Sequence, residues 1–270
     1  MLKVLLKKNY LRRISGVKCE KFEKIAERIR PAWRAVQKRK LVAGRPYEIG
    51  DLREHLLLLL IYYRTYTTHL FLAQIFHVDE STICRAIRRI APLAEQILKI
   101  KPERLLSEES LKLLIVNATE QRIERPKNQR DYYSGKKHTH TIKTEIVTNE
   151  KGKILRVSKP YEGRTHDFEI RKTEGALPAI PILADSGYQG LQNEHCAAVI
   201  LPKKKPKNGS LSASECTRNT KLARCRIVVE HTFAHLKKWS ILAARYRGQL
   251  DHYSQVFQTI AGIYNLSFEF

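Results

Sequence analysis

Apolar residues recur every three and four positions through the first hundred residues, and after residue 110 they gather into short runs. Residues 18–39 set Phe22, Ile25, Ile29 and Trp33 along one side of a basic amphipathic helix, with Pro31 placed to kink or split it. Gly44, Arg45 and Pro46 suit a turn. Asp51 is positioned to cap an apolar helix reaching about Tyr63. Thr65 to Thr68 form a β-branched break, and a second helix crosses Leu70 to Phe76. Asp79 is a good N-cap for a third helix, Glu80 to about Leu98. Ile83, Ile87 and Ile90 form one stripe of that helix, and Ser81, Arg85 and Arg88 form another. A short apolar helix, a tight turn at 77–79 and a two-faced helix predict a helix-turn-helix over about residues 67–98. The basic stripe is the one that would enter a DNA major groove. A plain helical hairpin with solvated arginines has the same pattern.

The texture changes after the charged, Pro-containing stretch 101–110, which predicts a boundary between a helical domain, 1–105, and a second domain, 106–270. Residues 111–118, 138–148 and 153–160 read as strands, the last two flanking a hairpin turn at 149–152. Thr165-His166-Asp167 opens a short helix to about Lys172. Residues 180–184 are a buried strand ending in Asp185-Ser186-Gly187, and 199–201 a further short strand. Residues 203–208 are a basic Pro/Gly loop, and 212–236 are mostly helical.

Charge narrows the partners. Fifty Lys and Arg against 27 Asp and Glu leave +23 on 270 residues, an excess that makes a polyanion, nucleic acid above all, the natural partner. The longest apolar run, Leu56 to Tyr63, falls far short of the ~20 residues of a membrane span. No signal-peptide core precedes it, so a cytoplasmic protein without a membrane partner is expected. Cys19, Cys84, Cys196, Cys216 and Cys225 are odd in number and lack a C-x-x-C pair, which favours reduced thiols.

Three segments carry chemistry: LLIV-Asn117-ATE, PILA-Asp185-SGYQG and RIVV-Glu230-HTFAHLKKW. Together with YYSGKKHTH, GRTHDF, PKKKPK and the closing RYRGQLDHYSQVFQTIAGIYN, they resemble in order the insertion sequence five family of bacterial transposases. That family is related to the eukaryotic Harbinger nucleases and belongs to the Asp-Asp-Glu transposases. The resemblance implies an α/β fold, a ribonuclease-H-like mixed sheet with flanking helices, preceded by a small all-α helix-turn-helix domain. It implies a DNA transposase that binds terminal inverted repeats and target DNA as a homo-oligomer, nucleoid-associated when bound. Two Mg²⁺ ions, for which Mn²⁺ can substitute, are implied at a catalytic and metal-binding trio falling on Asn117, Asp185 and Glu230. Phosphodiester transfer needs charge relief on the entering and departing oxygens, and two cations about 4 Å apart held by converging carboxylates supply it.

In that family the first position is normally Asp, and an amide lacks the charge to neutralise two dications. Cleavage impaired by Asn117 is therefore expected, with a catalytically inactive transposase-derived DNA-binding protein as one alternative and a ribonuclease-H-like nuclease as another. Glu120 does not replace it, since three residues along a strand reverse the face. Asp167 reads as a helix-start residue. Lys136 and Lys137 beside Tyr132 and Tyr133, and Lys203, Lys204 and Lys205 with Lys207, are candidate phosphate contacts. Lys237 falls seven residues after Glu230 on the same helical stripe and is a further candidate for DNA contact. His231 and His235, one turn apart, make at most half a zinc site.

Overall fold

The computed structural model describes residues 8–40, 47–101, 111–206 and 209–269. The turn expected at Gly44, Arg45 and Pro46, the boundary stretch from Pro102 to Ser110, and Lys207 lie outside the described residues. The described chain forms two compact units. Residues through Lys99, Lys237–Ala244 and those from Gln249 onward make one, and Ile100–Leu236 with Arg245–Gly248 make the other. One cut at 105/106 is the division expected from the sequence; here the chain returns to its first unit after Leu236.

The first unit is helical. Helix α1 (Lys8–Ser15) is followed by α2 (Cys19–Lys40), which runs unbroken through Pro31 and buries Phe22, Ile25, Ile29 and Trp33. Helix α3 (Leu52–Thr65) is capped by the Asp51 carboxylate, which accepts from Glu54 N at 3.0 Å. Leu56 through Leu60 are all buried, as expected of a helix surrounded by others. Thr68 caps α4 (His69–Phe76), which ends at His77 in the left-handed region, φ 54°. Helix α5 (Glu80–Leu98) follows at once. Asp79 stands at its N-cap, but its backbone carbonyl, not its side chain, receives Thr82 N (2.9 Å) and Ile83 N (3.2 Å). The buried stripe is Ile83, Ala86, Ile90, Ala91, Ala94 and Leu98, with Ile87 only half-buried. Small alanines let neighbouring helices approach closely, so the packing seam runs one residue off the expected isoleucine line.

The second unit is built on a mixed sheet. Its strands are β1 (Leu114–Arg122), β2 (Tyr133–Ser134), after the short α6 (Gln129–Tyr132), β3 (Thr139–Asn149), β4 (Ile154–Val157) and β5 (Tyr161–Glu162). Helix α7 (Asp167–Thr173) then leads to β6 (Ile182–Leu183) and β7 (Val199–Ile200), and α8 (Ala213–Leu236) follows. The order is β2-β3-β1-β6-β7, with β4 and β5 also pairing β3. Strands β1 to β5 run antiparallel to their partners, while β6 lies parallel to β1 and β7 parallel to β6. This is the mixed sheet expected of a ribonuclease-H-like domain. Leu114 and Val116 of β1, Val147, Leu155, Ile182, Ala184, Tyr188 and Leu191 form the core on one face.

A buried charge pair locks that face. Glu145 lies opposite Ala118 in the β1–β3 register and bonds the guanidinium of Arg171 on α7, both side chains almost fully buried. Arg171 also donates to the Gly175 carbonyl at 2.9 Å. Burial pushes the Glu145 carboxyl up to about 7, although Arg171 pulls the other way. Burial, with the negative field of Glu145 behind it, pushes the Tyr188 phenol well up. One pair thus ties β3, α7 and the turn after β6.

The chain then re-enters the first unit through α9 (Ser240–Ala243) and α10 (Tyr253–Asn265). Helix α10 buries Val256, Phe257, Ile260, Ala261 and Ile263, and packs against α5. A Cβ on Gly262 would stand 2.0 Å from the Leu98 carbonyl oxygen, so glycine is what allows the contact. Beyond it, Glu269 pairs with Lys24 at 2.8 Å and Arg28 at 2.6 Å on α2.

Two outcomes are expected. Gly262→Ala should destabilise by roughly 1–3 kcal/mol in urea unfolding, the usual cost of overpacking, whereas Gly135→Ala, with open space around it, should be near neutral. Because the folded-state pKa of Glu145 is raised, its contribution is fully present below about pH 4.5 and is lost as pH rises through about 7. The stability of the protein relative to Glu145→Gln should therefore fall across that window, on the order of 1–3 kcal/mol. Urea midpoints of both proteins at several pH values measure it, and a constant difference would contradict the raised pKa.

Candidate active site and nucleic-acid interfaces

Strand β1 alternates its side chains between two faces, and Asn117 points away from the Leu114–Val116 core face. The parallel ladder pairs Leu114 with Ile182 and Ile115 with Leu183. Carried forward two positions, that register sets Asn117 beside Asp185, on the same face. Asp185 keeps an extended backbone, φ −88° and ψ 178°, and its carboxylate caps the following turn by accepting from Gly187 N. The strand continues to Arg122, so Asn117 stands in mid-strand and not at the strand end expected. Its amide oxygen accepts from Ala118 N at 2.9 Å.

Helix α8 contacts β1 and contributes no residue to the Leu114–Val116 core. Val229, Thr232, Phe233 and Leu236 are buried, and Thr232 Oγ1 donates to the Gly152 carbonyl at 3.2 Å. Glu230 follows Val229, stays exposed, and pairs with Arg226 one turn earlier at 3.3 Å. Lys237 lies just past the helix end, in a turn assigned to the first unit, so the expected stripe from Glu230 stops one residue short.

Asp167 was read as a helix start, and it does begin α7. Its carboxylate and that of Asp185 both approach Gly187. A Cβ placed on Gly187 would be 2.9 Å from Asp167 Oδ2 and 3.0 Å from Asp185 Oδ1, so both oxygens border one small space that glycine leaves open. Lys143 Nζ donates to Asp167 Oδ1 at 3.0 Å and to the Thr165 carbonyl at 2.8 Å. The signal in sequence was the pairing of THD with DSG, but only the fold joins them. Glu120 lies on the other face from Asn117, opposite Lys143, and accepts from Thr141 Oγ1 at 2.6 Å.

Among the described residues, no three His, Cys, Asp or Glu side chains gather closely enough to hold a metal ion. With Asn117 in place of a carboxylate, the candidate donors are its amide oxygen, the Asp185 carboxylate after β6 and the Asp167 carboxylate at the start of α7. All are hard oxygens, a set that fits one divalent cation such as Mg²⁺ and leaves a bridging pair short of negative charge. His231 and His235 are both exposed and belong to no such group. All five cysteines are free.

The basic candidates divide by surroundings. Ser81, Arg85 and Arg88 share the exposed side of α5. Arg85 donates to Thr82 Oγ1 at 3.1 Å, and Thr82 in turn donates to Glu48 at 2.9 Å, so its guanidinium is aimed. The neighbouring Arg89 is structural, lying 3.7 Å over the Tyr47 ring and 3.1 Å from His55 Nε2. His55 Nδ1 donates to the Asp51 carbonyl at 2.9 Å, and burial lowers its pKa to about 4, leaving Nε2 free to accept from Arg89. Lys136 and Lys137 are exposed in the β2–β3 turn, and Tyr133 packs edge-on to His140. Lys203, Lys204 and Lys205 are exposed. No helix among the described residues is long and apolar enough to cross a membrane.

Comparison with known proteins agrees with this division. Residues 116–265 match the DDE superfamily endonuclease domain, and residues 49–100 match the helix-turn-helix of DDE superfamily endonuclease. The chain is 32% identical over 261 residues to a probable transposase for insertion sequence element IS702 of Microchaete diplosiphon, covering 94% of this chain and 92% of that protein. It is 27% identical over 235 residues to a putative transposase for insertion sequence element IS112 of Streptomyces albus G, covering 83% of each. The endonuclease match spans the mixed sheet and α8, the helix-turn-helix match spans the helices before it, and the chain belongs to the DDE superfamily of transposase endonucleases.

Proposed function

We propose that this protein acts at the ends of a mobile DNA element, with α5 reading the terminal inverted repeats and the β1–β6–α8 face working on the phosphodiester. The observation that carries this is the parallel register that aligns Asn117 with Asp185, on the strand that the helix of Glu230 contacts. Asn117, Asp185 and Glu230 are the catalytic positions, and Asp167 is a fourth oxygen donor at their edge. Mg²⁺ is the expected cofactor, since every donor is a hard oxygen and no thiolate or imidazole joins them, and Mn²⁺ would serve in its place. When bound, the divalent cations neutralise the scissile phosphate and acidify the attacking water or 3′-hydroxyl.

The chain's own residues do the rest. Asp185 and Asp167 concentrate negative charge where Gly187 leaves room for a ligand. Lys143 pairs with Asp167 at 3.0 Å and holds its carboxylate beside Gly187. Arg226 holds Glu230 until a stronger cationic partner competes for it. Ser81, Arg85 and Arg88 address base edges and phosphates in the major groove. Lys136, Lys137, Lys203, Lys204, Lys205 and Lys237 hold the backbone of terminal or target DNA. A homo-oligomer bridging two element ends, bound to DNA in the nucleoid, completes the reading.

Asn117 favours a second reading as well: a transposase-derived protein that binds element ends and no longer cleaves them. Its amide supplies an oxygen without charge, and on its nitrogen side it turns donors toward a cation. Both readings make the same two predictions about DNA. In Mg²⁺, Asn117→Asp should nick terminal-repeat DNA at least about a hundredfold faster than the protein as it stands, since a lost carboxylate removes several kcal/mol of charge stabilisation. Equal rates would remove position 117 from the site. Arg88→Ala should leave non-specific binding nearly intact while cutting the preference for repeat over random DNA by about 1–3 kcal/mol. Competition binding reads this directly, and a uniform loss on all sequences would make Arg88 a phosphate contact instead.

A further inference from the structure

The amino-terminal half of α8 has no core of its own. From Ala213 through Val228 no residue is buried, and burial begins only at Val229. A helical stretch that buries no side chain fully is marginal in water. This one is nevertheless braced at two points. Ser212 and Glu215 cap its start reciprocally, Glu215 N donating to Ser212 Oγ at 3.2 Å and Ser212 N to Glu215 Oε2 at 2.9 Å. Asn219 then grips the backbone of Lys203 from both sides, its amide oxygen accepting from Lys203 N at 2.8 Å and its amide nitrogen donating to the Lys203 carbonyl at 2.9 Å. That grip fastens the lysine loop along the arm.

The charges on the arm are nearly all positive. Arg218, Lys221 and Arg224 recur at i, i+3 and i+6 and form an exposed ridge, and among the described residues none of them has an ion pair or hydrogen bond. The single acidic side chain on this half, Glu215, is occupied by the cap and by Lys203 at 4.0 Å. A step of two residues turns a helix by about 200°, so the ridge around Lys221 lies opposite Asn219 and the lysines fastened there. Positive charge therefore flanks the arm on both sides. A solvated helix would gain stability from pairs of opposite sign, and here repulsion is built in instead.

We infer that this arm, Arg218, Lys221 and Arg224 together with Lys203, Lys204 and Lys205, is a second duplex-DNA surface, separate from the helix-turn-helix, that grips phosphates without reading sequence. Charge complementarity selects the partner. Phosphates lie on both sides of a DNA groove, and a helix bearing cations on opposite flanks meets two rows of them at once. The inference rests on the DNA-directed reading above and deepens it, because the arm leads directly into the turn of helix that presents Glu230. Duplex held along the arm would be delivered to that residue.

The test is equilibrium binding of the full-length protein to a terminal-repeat duplex and to a random duplex of equal length, across a range of salt. Arg218→Ala/Lys221→Ala/Arg224→Ala keeps helix-forming residues at all three sites, and Arg218→Lys/Arg224→Lys keeps the charge. The alanine variant should lose affinity for both duplexes by the same factor, at least about tenfold at moderate salt, with the slope of log affinity against log salt reduced by roughly 2–3. The lysine variant should bind like the parent. Asn219→Ala, which frees the lysine loop but removes no charge, should weaken both duplexes to a smaller, equal extent. An unchanged slope in the alanine variant, at unchanged helix content by circular dichroism, overturns the arm. So does a loss confined to the repeat duplex. If the alanine variant loses helix content, the lysine variant and Asn219→Ala decide: parental binding by the first with an equal partial loss in the second supports the arm, and any other result overturns it. Failure of the parent to bind either duplex would instead defeat the DNA-directed reading itself.

Discussion

Strand β1 is gripped on both edges, antiparallel to β3 over its whole length and parallel to β6 at its start. That double pairing is the constraint on which the second unit depends. Side chains on a strand alternate, so a slip of one residue against either neighbour would carry Asn117 into the Leu114–Val116 core and turn Val116 out of it. The nine paired positions along β3 make such a slip costly, and Leu114 and Ile115 transmit the same register to β6. The alignment of Asn117 with Asp185 therefore follows from packing across the whole sheet and not from any direct attraction between the two side chains.

The buried face is tuned to hold the loops where chemistry would occur. Glu145 and Arg171 bond each other in a buried site, an arrangement that adds little net stability but penalises any other placement of α7. Asp167 starts α7, and Tyr188 closes the turn begun by Asp185. Two carboxylates from distant parts of the sequence thus come to share the space at Gly187 because a third, Glu145, is fixed behind them.

Much of this was legible in the chain. Buried parallel strands read as unbroken apolar runs, which is why the segments before Asn117 and Asp185 stood out. The helix-turn-helix was legible from its caps and its turn. Other features left weaker traces. Strands β2 and β5 are two residues long and pair only with β3, too short for any alternation to register. The far half of β1 buries Thr119 and Gln121, polar residues that made the strand seem to end early. Ala86 replaces Ile87 in the α5 seam because helix packing rewards close approach as well as hydrophobicity. The approach of Asp167 and Asp185 to Gly187 depends on a glycine having no side chain, and no local pattern records what that glycine faces. The exposed half of α8 was read simply as helix, since periodicity does not distinguish a packed helix from an unpacked one when the apolar moment is slight.

The close seat of α10 on α5 at Gly262 has a consequence for biosynthesis. A ribosome that has released the helix-turn-helix has not yet made the helix that closes its core, and more than a hundred and fifty residues of sheet and helix must emerge between them. Until then, apolar positions of α5 that α10 covers remain open to water or to folding helpers. A message broken anywhere in the sheet would release a fragment whose helix-turn-helix lacks the helix that packs on α5. Only a chain translated through both halves can complete that core.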